Sequence, residues 1–591
     1  MDRTYGTLTY TEGPTSQAPA TAPSSGPVAR CWAITTDQPH VAARIKRIFP
    51  RHQGDRGGRI RITATGEVAR DLEMLLGRWP LQMTTAHRRR LKAAAREHRQ
   101  AEHDVTAILA GHRLSRGVRE PGRPARDYQQ ESADLVHATG RLLCTDDLGL
   151  GKTNTALMVL AAPDALPVLV VTLTHLQSQW LDELALTWPD MVGHILASRT
   201  PYDPATAGRD PDVLVVNYAK LASWSDTLAG RIRTVVFDEA QELRHPDSLK
   251  WTAAAQIAGH ARYRVGLTNT PIYNYGGEIH SVLDVIAPGE LGTREEFGAE
   301  YGLDMGKNRI KVNKPDRLRS YLVDQGLMHG HTRAQVGREL PAVQLIEQRI
   351  EADLDALDRI HGDAIEMARF IVARSGAASE RWRLRGEFDK RLRQATGIAK
   401  APYVAAFTNL LLQTENRVIL WGWHRAVYSI WSELLAEHNP VLYTGSESPA
   451  DKADSVRAFA AGDSRVLMMS LRAGAGIDGL QRYCNVGVVG ELDWSPQVHR
   501  QCIGRLLRDD LIATPLIYFL LADHGSDPAM AETLNVKKLQ NDLIVGTPDA
   551  AITPVADATD RIHRLATTVL HRAGIPLPAT GQHDAVLPAA G

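Results

Sequence analysis

Short apolar runs separated by longer amphipathic stretches occupy most of the chain from Tyr128 onward. The first group of runs stands at 167–171, 212–216, 234–237 and 263–267 and is rich in β-branched residues. Continuous apolar runs predict strands buried on both faces, and helices between such strands predict a parallel sheet. The pattern returns with Arg417-Val-Ile-Leu-Trp, after residue 400. We therefore predict an α/β protein with two parallel-sheet lobes, at 127–300 and 401–545.

The segment between the predicted lobes, residues 301–400, has a different character. It is mostly charged and amphipathic, and it lacks the β-branched runs of its neighbours. This pattern favours helices with one solvated face. We predict a helical insertion here, and a C-terminal helix and tail at 546–591.

The N-terminal part is predicted to contain three pieces. Residues 1–27 are rich in Thr, Pro, Ser and Gly without periodicity, which predicts a disordered tail. Residues 28–83 alternate strand and helix patterns and predict a small α/β domain. Residues 84–126 carry 11 Lys and Arg against 4 acids, a net charge of 11 − 4 = +7. This basic helix and linker could neutralise nucleic-acid phosphates, and a solvated helix face is the equal alternative.

Composition limits the class of protein. A chain of 591 residues with 43% hydrophobic and 23% charged residues is long enough for several buried cores. The 68 basic residues balance 68 acidic ones, so binding to nucleic acid requires a localised basic surface. We find no apolar run long enough for a membrane span and no hydrophobic signal core, so we expect a cytoplasmic protein without a membrane partner. The four cysteines contain no C-x-x-C pair, which argues against a disulfide framework or zinc knuckle.

A glycine-rich loop is the strongest chemical signal. The run Thr145-Asp-Asp-Leu-Gly-Leu-Gly-Lys-Thr153 precedes a predicted helix. In such loops, backbone N–H groups and a lysine contact phosphates, while a Ser or Thr hydroxyl ligates Mg²⁺. We predict that ATP is bound by Gly149, Leu150, Gly151, Lys152 and Thr153. The usual first glycine is Asp146 here, so a coincidental glycine-rich turn is the alternative.

Two adjacent carboxylates end a later apolar run. The sequence Thr234-Val-Val-Phe-Asp-Glu-Ala-Gln241 places Asp238 and Glu239 at a predicted strand end. Consecutive side chains on an extended chain point in different directions, so the two carboxylates can divide the work between metal and water. We assign Asp238 to Mg²⁺, together with Thr153, and Glu239 to the general base.

A third segment, Gly-Leu-Thr268-Asn-Thr270-Pro-Ile-Tyr-Asn, follows the glycine-rich loop and the carboxylate pair. Together the three segments resemble superfamily-two helicases, and most closely the Swi/Snf family of DNA translocases. In that family an Asp-Glu-Met segment precedes the loop, where this chain has Asp-Asp-Leu, which accounts for the missing glycine. The resemblance implies two RecA-like lobes. It also implies that Gln129 reads the adenine edge, that residues 169–180 face nucleic acid, and that Gln241, Thr268 and Thr270 couple hydrolysis to motion.

The second lobe extends the resemblance. Ser495-Pro-Gln, followed by Gln501, Arg505 and Arg508, matches the family's terminal motif, in which both arginines reach the γ-phosphate across the cleft between the lobes. We predict that these three residues are catalytic, with surface salt bridges as the alternative for the arginines. Ser470 and Arg472 resemble the motif that couples ATP to the track.

The predicted function is that of a Swi/Snf-type ATP-dependent DNA translocase or helicase, which moves along or remodels double-stranded or forked DNA. The N-terminal 120 residues are interpreted as an accessory DNA-binding domain of the kind found in annealing helicases. One alternative is a single-strand DNA or RNA helicase of the wider superfamily. The other is a DNA-binding scaffold with a silent ATPase. The sequence indicates no particular protein partner.

Overall fold

The computed structural model describes residues 4–14, 28–54, 59–114, 119–147, 149–205, 209–268, 277–304, 310–338, 341, 343–355, 378–472, 477 and 479–534. The described residues form two compact units, one up to Gly337 and one from Arg338 onward. The predicted C-terminal helix and tail at 546–591 lie outside the described residues.

The first unit begins with a small α/β domain and a long helix. Its elements are β1 (Thr7–Pro14), β2 (Val28–Thr35), α1 (Pro39–Ile48), β3 (Gln53–Gly54), β4 (Ile60–Thr63), α2 (Gly66–Arg78) and α3 (Thr85–Leu109). The strands form an antiparallel sheet in the order β1-β2-β4-β3. The sheet and helices enclose a core that includes Leu8, Trp32, Ile62 and Leu72.

The prediction of a disordered tail over residues 1–27 is wrong for β1. This strand pairs with β2 along its whole length, and Leu8 is completely buried. The strand was missed because alternate positions are mostly threonine, and because its stability comes from pairing with a distant segment. Residues 15–27 lie outside the described range.

Helix α3 presents a basic face to solvent. Thr84 caps its start by accepting a hydrogen bond from the backbone N–H of His87, 3.2 Å away. Arg88, Lys92 and Arg96, spaced one turn apart, are exposed and form no ion pair with other described residues. These three side chains are called the basic stripe below.

The first lobe is a seven-stranded parallel sheet with helices on its faces. Its elements are α4 (Asp127–Thr139), β5 (Arg141–Cys144), α5 (Lys152–Met158), β6 (Val168–Thr172), α6 (Gln177–Thr187), β7 (Gly193–Ile195), β8 (Val213–Asn217), α7 (Leu221–Leu228), β9 (Thr234–Asp238), α8 (Leu249–Ala258), β10 (Tyr263–Leu267), α9 (Gly277–Ile286), α10 (Arg294–Tyr301), β11 (Gly302–Asp304), β12 (Ile310–Val312), α11 (Pro315–Asp324) and β13 (Met328–His329). The strand order is β13-β5-β10-β9-β6-β8-β7. Because β5, β10, β9 and β6 are consecutive neighbours, the residues at their carboxyl ends meet at one edge.

The second unit holds the other parallel sheet. Its elements are β14 (Gln344–Ile350), α12 (Ala378–Leu411), β15 (Val418–Gly422), α13 (Arg425–Leu434), β16 (Val441–Tyr443), α14 (Pro449–Ala461), β17 (Val466–Ser470), β18 (Val486–Val489), α15 (Pro496–Ile503), β19 (Leu516–Ala522) and α16 (Asp527–Leu534). The six strands are parallel in the order β14-β19-β18-β15-β17-β16. Strands β15 and β17 are fully buried, as their apolar runs predict. The predicted fold of two parallel-sheet lobes with a small N-terminal domain is confirmed.

The prediction of a helical insertion at 301–400 is wrong in part. Strand β13 adds to the edge of the first sheet beside β5, and β14 adds to the edge of the second beside β19. Edge strands are short or carry charged side chains, so their sequences lack the apolar runs of central strands. Where the segment is described, α11 and the first part of α12 match the expected helical character. No helix in the described part of the chain is long and apolar enough to cross a membrane.

Candidate nucleotide-binding site

The phosphate loop joins β5 to α5 at the carboxyl edge of the first sheet. Gly149 and Gly151 adopt φ values of 79° and 78°, in the left-handed region that favours glycine. A Cβ atom at Gly149 would collide with the guanidinium of Arg333. The backbone conformation therefore favours glycine at both positions, and a Cβ at Gly149 would also displace the Arg333 guanidinium. Leu150 is completely buried, and its backbone N–H donates to the carbonyl oxygen of Asp147 at 3.3 Å, so contact of this amide with a phosphate would require that bond to be exchanged.

The lysine ammonium lies over this loop. Lys152 Nζ donates hydrogen bonds to the carbonyl oxygens of Asp146 and Asp147, at 2.7 and 3.2 Å. Thr153 follows in the first turn of α5 and is half-buried. The ammonium, the loop amides and the threonine hydroxyl form a donor and ligand set suited to a polyphosphate with its Mg²⁺.

Gln129 braces the phosphate loop instead of presenting a free amide. Its Nε2 donates to the carbonyl oxygens of Leu150 and Gly151, at 2.9 and 3.3 Å. Its Oε1 accepts from Arg126 N at 3.0 Å and from Asn154 Nδ2 at 2.9 Å. The side chain is only 2% exposed, and these four bonds use its full hydrogen-bonding capacity. Contact with adenine would require some of these bonds to be exchanged, so the side chain positions the loop in this structure.

Asp238 ends β9 and is held by three donors. Its Oδ2 accepts from Thr172 Oγ1 at 2.8 Å and from Trp180 Nε1 at 2.9 Å, and its Oδ1 accepts from Glu239 N at 3.0 Å. Thr172 and Trp180 are buried, so the expectation that their segment faces nucleic acid is wrong for these two side chains. The hydroxyl donor is on β6, which lies beside β9, and the indole donor is on α6, which follows β6. Local sequence patterns do not reveal that these elements are neighbours.

Burial raises the pKa of Asp238, against the opposing effects of Trp180, Thr172 and the nearby Lys152 ammonium. A carboxyl group desolvated in this way is stabilised in its ionised form by an adjacent cation. The electrostatic setting of Asp238 thus fits a magnesium ligand.

Glu239 and Gln241 begin a chain of hydrogen bonds. Glu239 has φ 52° and ψ 52°, a left-handed conformation that costs a non-glycine residue about 1 kcal/mol. Gln241 Nε2 donates to Glu239 Oε2 at 2.5 Å, and Gln241 Oε1 accepts from Thr268 Oγ1 at 2.7 Å. Three predicted site residues are therefore brought into direct contact. Thr270 lies outside the described residues.

A histidine and carboxylate cluster flanks the phosphate loop. His331 donates from its backbone N–H to Asp146 Oδ1 at 2.9 Å, and its Nδ1 lies 3.1 Å from the same oxygen. His331 Nε2 and His329 Nε2 lie 3.6 and 3.2 Å from the two carboxylate oxygens of Glu131. Burial disfavours the charged imidazole, but the bonds to Asp146 and Glu131 outweigh it and raise the pKa of His331 to about 9. Sequence reasoning missed this cluster, although the His-x-His spacing was a visible signal.

In the second unit, Ser470 and Arg472 line a cleft of about 340 Å³ at the end of β17. Arg472 donates from Nε and Nη2 to the buried Asp493 Oδ2, at 3.1 and 2.8 Å. Its guanidinium also lies 5.3 Å from the ring centre of Trp423, which is 37% exposed. The cleft thus combines an oriented arginine with an aromatic side chain, a combination suited to a nucleic-acid backbone.

Gln501 lies on α15 and is half-buried, while Arg505 and Arg508 follow the helix. Arg505 is only 7% exposed, and its Nη1 donates to the carbonyl oxygen of Ile477 at 2.9 Å. Arg508 Nε donates to the carbonyl oxygen of Gly504 at 2.8 Å. Both arginines are therefore anchored to backbone carbonyl groups, and Arg505 is too deeply buried to serve as a surface salt-bridge partner.

The two acidic residues that follow Arg508 in the sequence have their own partners. Asp509 forms an ion pair with Arg338, and its carbonyl oxygen accepts from Gln481 Nε2 at 3.0 Å. Asp510, with φ 59°, lies 3.1 Å from Arg482 Nη2. These contacts fix the end of the arginine-bearing segment within the second unit.

Two parallel-sheet lobes, the first with a phosphate loop and an Asp-Glu pair at one sheet edge, define the class of P-loop α/β proteins. Residues 76–358 match the SNF2-related domain. The chain therefore contains an SNF2-related domain, and the predicted resemblance to the Swi/Snf family is confirmed.

Curated relatives share this region. The chain is 24% identical over 422 residues to the DNA annealing helicase and endonuclease ZRANB3 of Mus musculus, covering 67% of this chain and 38% of that protein. It is also 24% identical over 443 residues to the SWI/SNF-related matrix-associated actin-dependent regulator of chromatin subfamily A-like protein 1 of Drosophila melanogaster, covering 70% and 54%. The chain thus spans about half or less of the length of these relatives.

A similar solved structure is the Sulfolobus solfataricus SWI2/SNF2 ATPase core in complex with dsDNA. It is 18% identical to this chain with a TM-score of 0.36, and the match covers 79% of this chain and all of that one.

Proposed function

We propose that this protein is an ATP-dependent DNA translocase of Swi/Snf type, which hydrolyses ATP to move along or remodel double-stranded or forked DNA. The observation that carries the proposal is the chain of hydrogen bonds from Glu239 through Gln241 to Thr268 at one sheet edge. Lys152 and Asp238 lie in the same lobe. The chain of hydrogen bonds supplies groups for hydrolysis and a physical connection from the catalytic carboxylate to the neighbouring strand.

The nucleotide site is assigned to the loop residues already described. Lys152 and the amides of Gly149, Leu150 and Gly151 bind the phosphates, and Gln129 holds the loop in shape. Thr153 and Asp238 would hold Mg²⁺, which neutralises phosphate charge when bound. The position of Asp238 at the carboxyl end of β9, at the sheet edge that carries the phosphate loop, supports the metal assignment.

Glu239 is the general base in this proposal. Its carboxylate orients the attacking water and accepts a proton, while Gln241 fixes its position through the 2.5 Å hydrogen bond. Arg505 and Arg508 are assigned to the developing negative charge on the γ-phosphate, with Gln501 beside them on α15. A guanidinium suits this task because it remains charged and can bridge two oxygens.

DNA is assigned to the cleft of the second lobe and to the basic stripe of the N-terminal unit. Arg472 is oriented by Asp493, and Ser470 lies on the same cleft wall. Contacts of this type are made to phosphates and predict weak base preference and strong salt dependence. The names of the two curated relatives, one a DNA annealing helicase, support DNA as the track, on which the protein would act in the cytoplasm.

The test is steady-state ATP hydrolysis by the full chain, alone and with duplex DNA, forked DNA, single-stranded DNA or RNA. Glu239→Gln serves as the inactive blank, because it keeps the size of the side chain and removes the base. We expect stimulation chiefly by duplex or forked DNA. Stimulation only by single strands or by RNA would instead identify a helicase of the wider superfamily. DNA binding with no turnover above the blank would identify a scaffold.

Translocation needs its own measurement. A triplex-displacement assay follows release of a third strand as a motor moves along a duplex, without requiring the duplex to open. We expect ATP-dependent displacement by the wild-type chain and none by Lys152→Ala. Strand annealing on forked DNA then separates remodelling from simple movement. Robust ATPase activity without displacement or annealing would remove the translocase part of the proposal.

A further inference from the structure

We propose that Glu131, His329 and His331 form a binding site for a divalent transition-metal ion, with Zn²⁺ as the ion that fits best. The site lies in the first unit, where α4 faces β13 and the segment that follows it. It shares no residue with the magnesium site assigned to Thr153 and Asp238. The inference therefore goes beyond the ATPase and does not depend on it.

The distances among the three side chains match a metal coordination sphere. The Nε2 atoms of His329 and His331 lie 3.2 and 3.6 Å from the carboxylate oxygens of Glu131. All three ligand atoms lie within 4.8 Å of one another. Zinc bonds of about 2.0 Å in a tetrahedral arrangement place neighbouring ligand atoms roughly 3.3 Å apart. Small rotations of the two imidazoles would complete the geometry.

The chemistry of the ligands selects the type of ion. Two imidazole nitrogens with one carboxylate suit Zn²⁺ and related first-row ions, whereas Mg²⁺ prefers six oxygen ligands. His329 Nε2 is buried but forms no well-aligned hydrogen bond with the described residues. It lies 3.2 Å from a carboxylate oxygen of Glu131, so an ion bound between the two groups would take the place of a proton on this nitrogen. Glu131 is 28% exposed at its side chain, which leaves a route for the ion and a position for a water ligand.

A second carboxylate supports the site from behind. His331 Nδ1 lies 3.1 Å from Asp146 Oδ1, so when a metal displaces the proton on Nε2, the neutral imidazole still donates from Nδ1 to Asp146. Carboxylate groups behind metal-binding histidines commonly fix the ring in this manner. Asp146 is itself completely buried, and its carbonyl oxygen accepts from Lys152 Nζ. A bound ion would therefore stiffen the phosphate loop, linking α4 and β13 to the lysine of the nucleotide site.

The experiment measures metal content and binding directly, without nucleotide or DNA. The full chain is stripped with a chelator, dialysed, titrated with Zn²⁺ in a calorimeter and analysed by mass spectrometry for retained metal. We expect the wild-type chain to bind one Zn²⁺ ion tightly. We expect His329→Gln and Glu131→Gln to lose this tight binding. His260→Gln is the matched control, because His260 follows the end of α8 and its side chain bonds to the carbonyl oxygen of Gln256, away from the cluster.

Two further measurements keep the result interpretable. His329→Cys retains a zinc-binding side chain, so it should keep the tightly bound Zn²⁺ ion that His329→Gln loses. Asp146→Asn should weaken the affinity by ten- to hundredfold without abolishing it. Circular dichroism of each metal-free variant checks that it is folded. The proposal is overturned if the wild-type chain binds no Zn²⁺ tightly. It is also overturned if folded His329→Gln and Glu131→Gln bind Zn²⁺ as tightly as the wild type.

Discussion

Gln241 donates a 2.5 Å hydrogen bond from Nε2 to Oε2 of Glu239. The same amide accepts at 2.7 Å from Thr268, which follows β10. The base of the proposed reaction is thereby tied to a second strand end, so a change at either end can affect the other. A side-chain amide can do this because it donates and accepts at once.

Replacing Gln241 by Ala should remove this connection. We expect DNA-stimulated hydrolysis to fall about tenfold or more, because Glu239 loses the group that orients it. Nucleotide affinity, set by the phosphate loop, should change little. Gln241→His is the control, since its ring can also donate and accept, and it should retain most activity. Steady-state kinetics with a fluorescent nucleotide titration distinguishes the outcomes, and equal loss of ATP affinity and turnover in Gln241→Ala would contradict the assigned role.

Arg505→Ala should abolish turnover while ATP remains bound. The guanidinium is proposed to stabilise charge that develops during phosphoryl transfer, so its loss should cost about 10³-fold in kcat. Arg505→Lys keeps a cation and should recover only part of the rate, because an ammonium cannot bridge two oxygens. Since Arg505 also donates to the carbonyl oxygen of Ile477, thermal unfolding must accompany the kinetics. Wild-type turnover in folded Arg505→Ala would exclude the finger role.

Gly149→Ala should impair the phosphate loop. At φ 79° a Cβ costs about 1 kcal/mol, and it would also meet the Arg333 guanidinium. We expect ATP affinity to fall about tenfold or more, measured by nucleotide titration. Gly149→Ala combined with Arg333→Ala should recover part of the loss if the collision matters. Gly77→Ala is the control, because nothing lies within 4 Å of a Cβ placed there.

Neutralising the basic stripe should weaken DNA binding without affecting basal ATPase activity. With Arg88, Lys92 and Arg96 changed to Gln, the slope of log affinity against log salt should fall by about one unit for each phosphate that the protein no longer neutralises. The control variant carries Arg349→Gln and Arg457→Gln. These changes remove exposed arginines of the second unit that form ion pairs with acidic residues. An unchanged salt slope in the triple variant would show that the stripe is only a solvated helix face.

His499 should make the second unit less stable in acid. Burial lowers the pKa of His499 to about 4, with charged neighbours Asp493, Arg393 and Lys400 acting in opposite directions. The unfolded chain takes up this proton near pH 6.5, so stability is complete above that pH and falls as pH drops toward 4. Between pH 7.5 and 5.0 the loss should be about 2 kcal/mol.

The matched variant for this effect is His499→Gln, which removes the titrating group and can still bond to the backbone of Asp493, 3.1 Å away. Calorimetry at both pH values should show a smaller downward shift of the unfolding temperature in the variant. Identical shifts in the two proteins would assign the acid sensitivity to other groups.

The central strands could be predicted because their signal is local. Runs such as Val-Leu-Val-Val-Thr at β6 are apolar at nearly every position, as a strand buried on both faces requires. The loop glycines and the pair Asp238 and Glu239 were likewise identified, because phosphate and metal chemistry need those residue types in sequence. Edge strands β1, β13 and β14 carried no such signal, since pairing with a distant strand stabilises them.

The sequence by itself determined the class of protein, the order of its lobes and the residues that can bind phosphate or transfer a proton. Only the tertiary structure decided what Gln129 and Trp180 do, because their hydrogen-bond partners are 21 and 58 residues away. It also brought Glu131 to His329 and His331, whose His-x-His spacing was visible in the sequence but did not indicate the distant glutamate. The physical reason is that residue type and periodicity are local properties, whereas a hydrogen bond or a metal site depends on which strands and helices become neighbours.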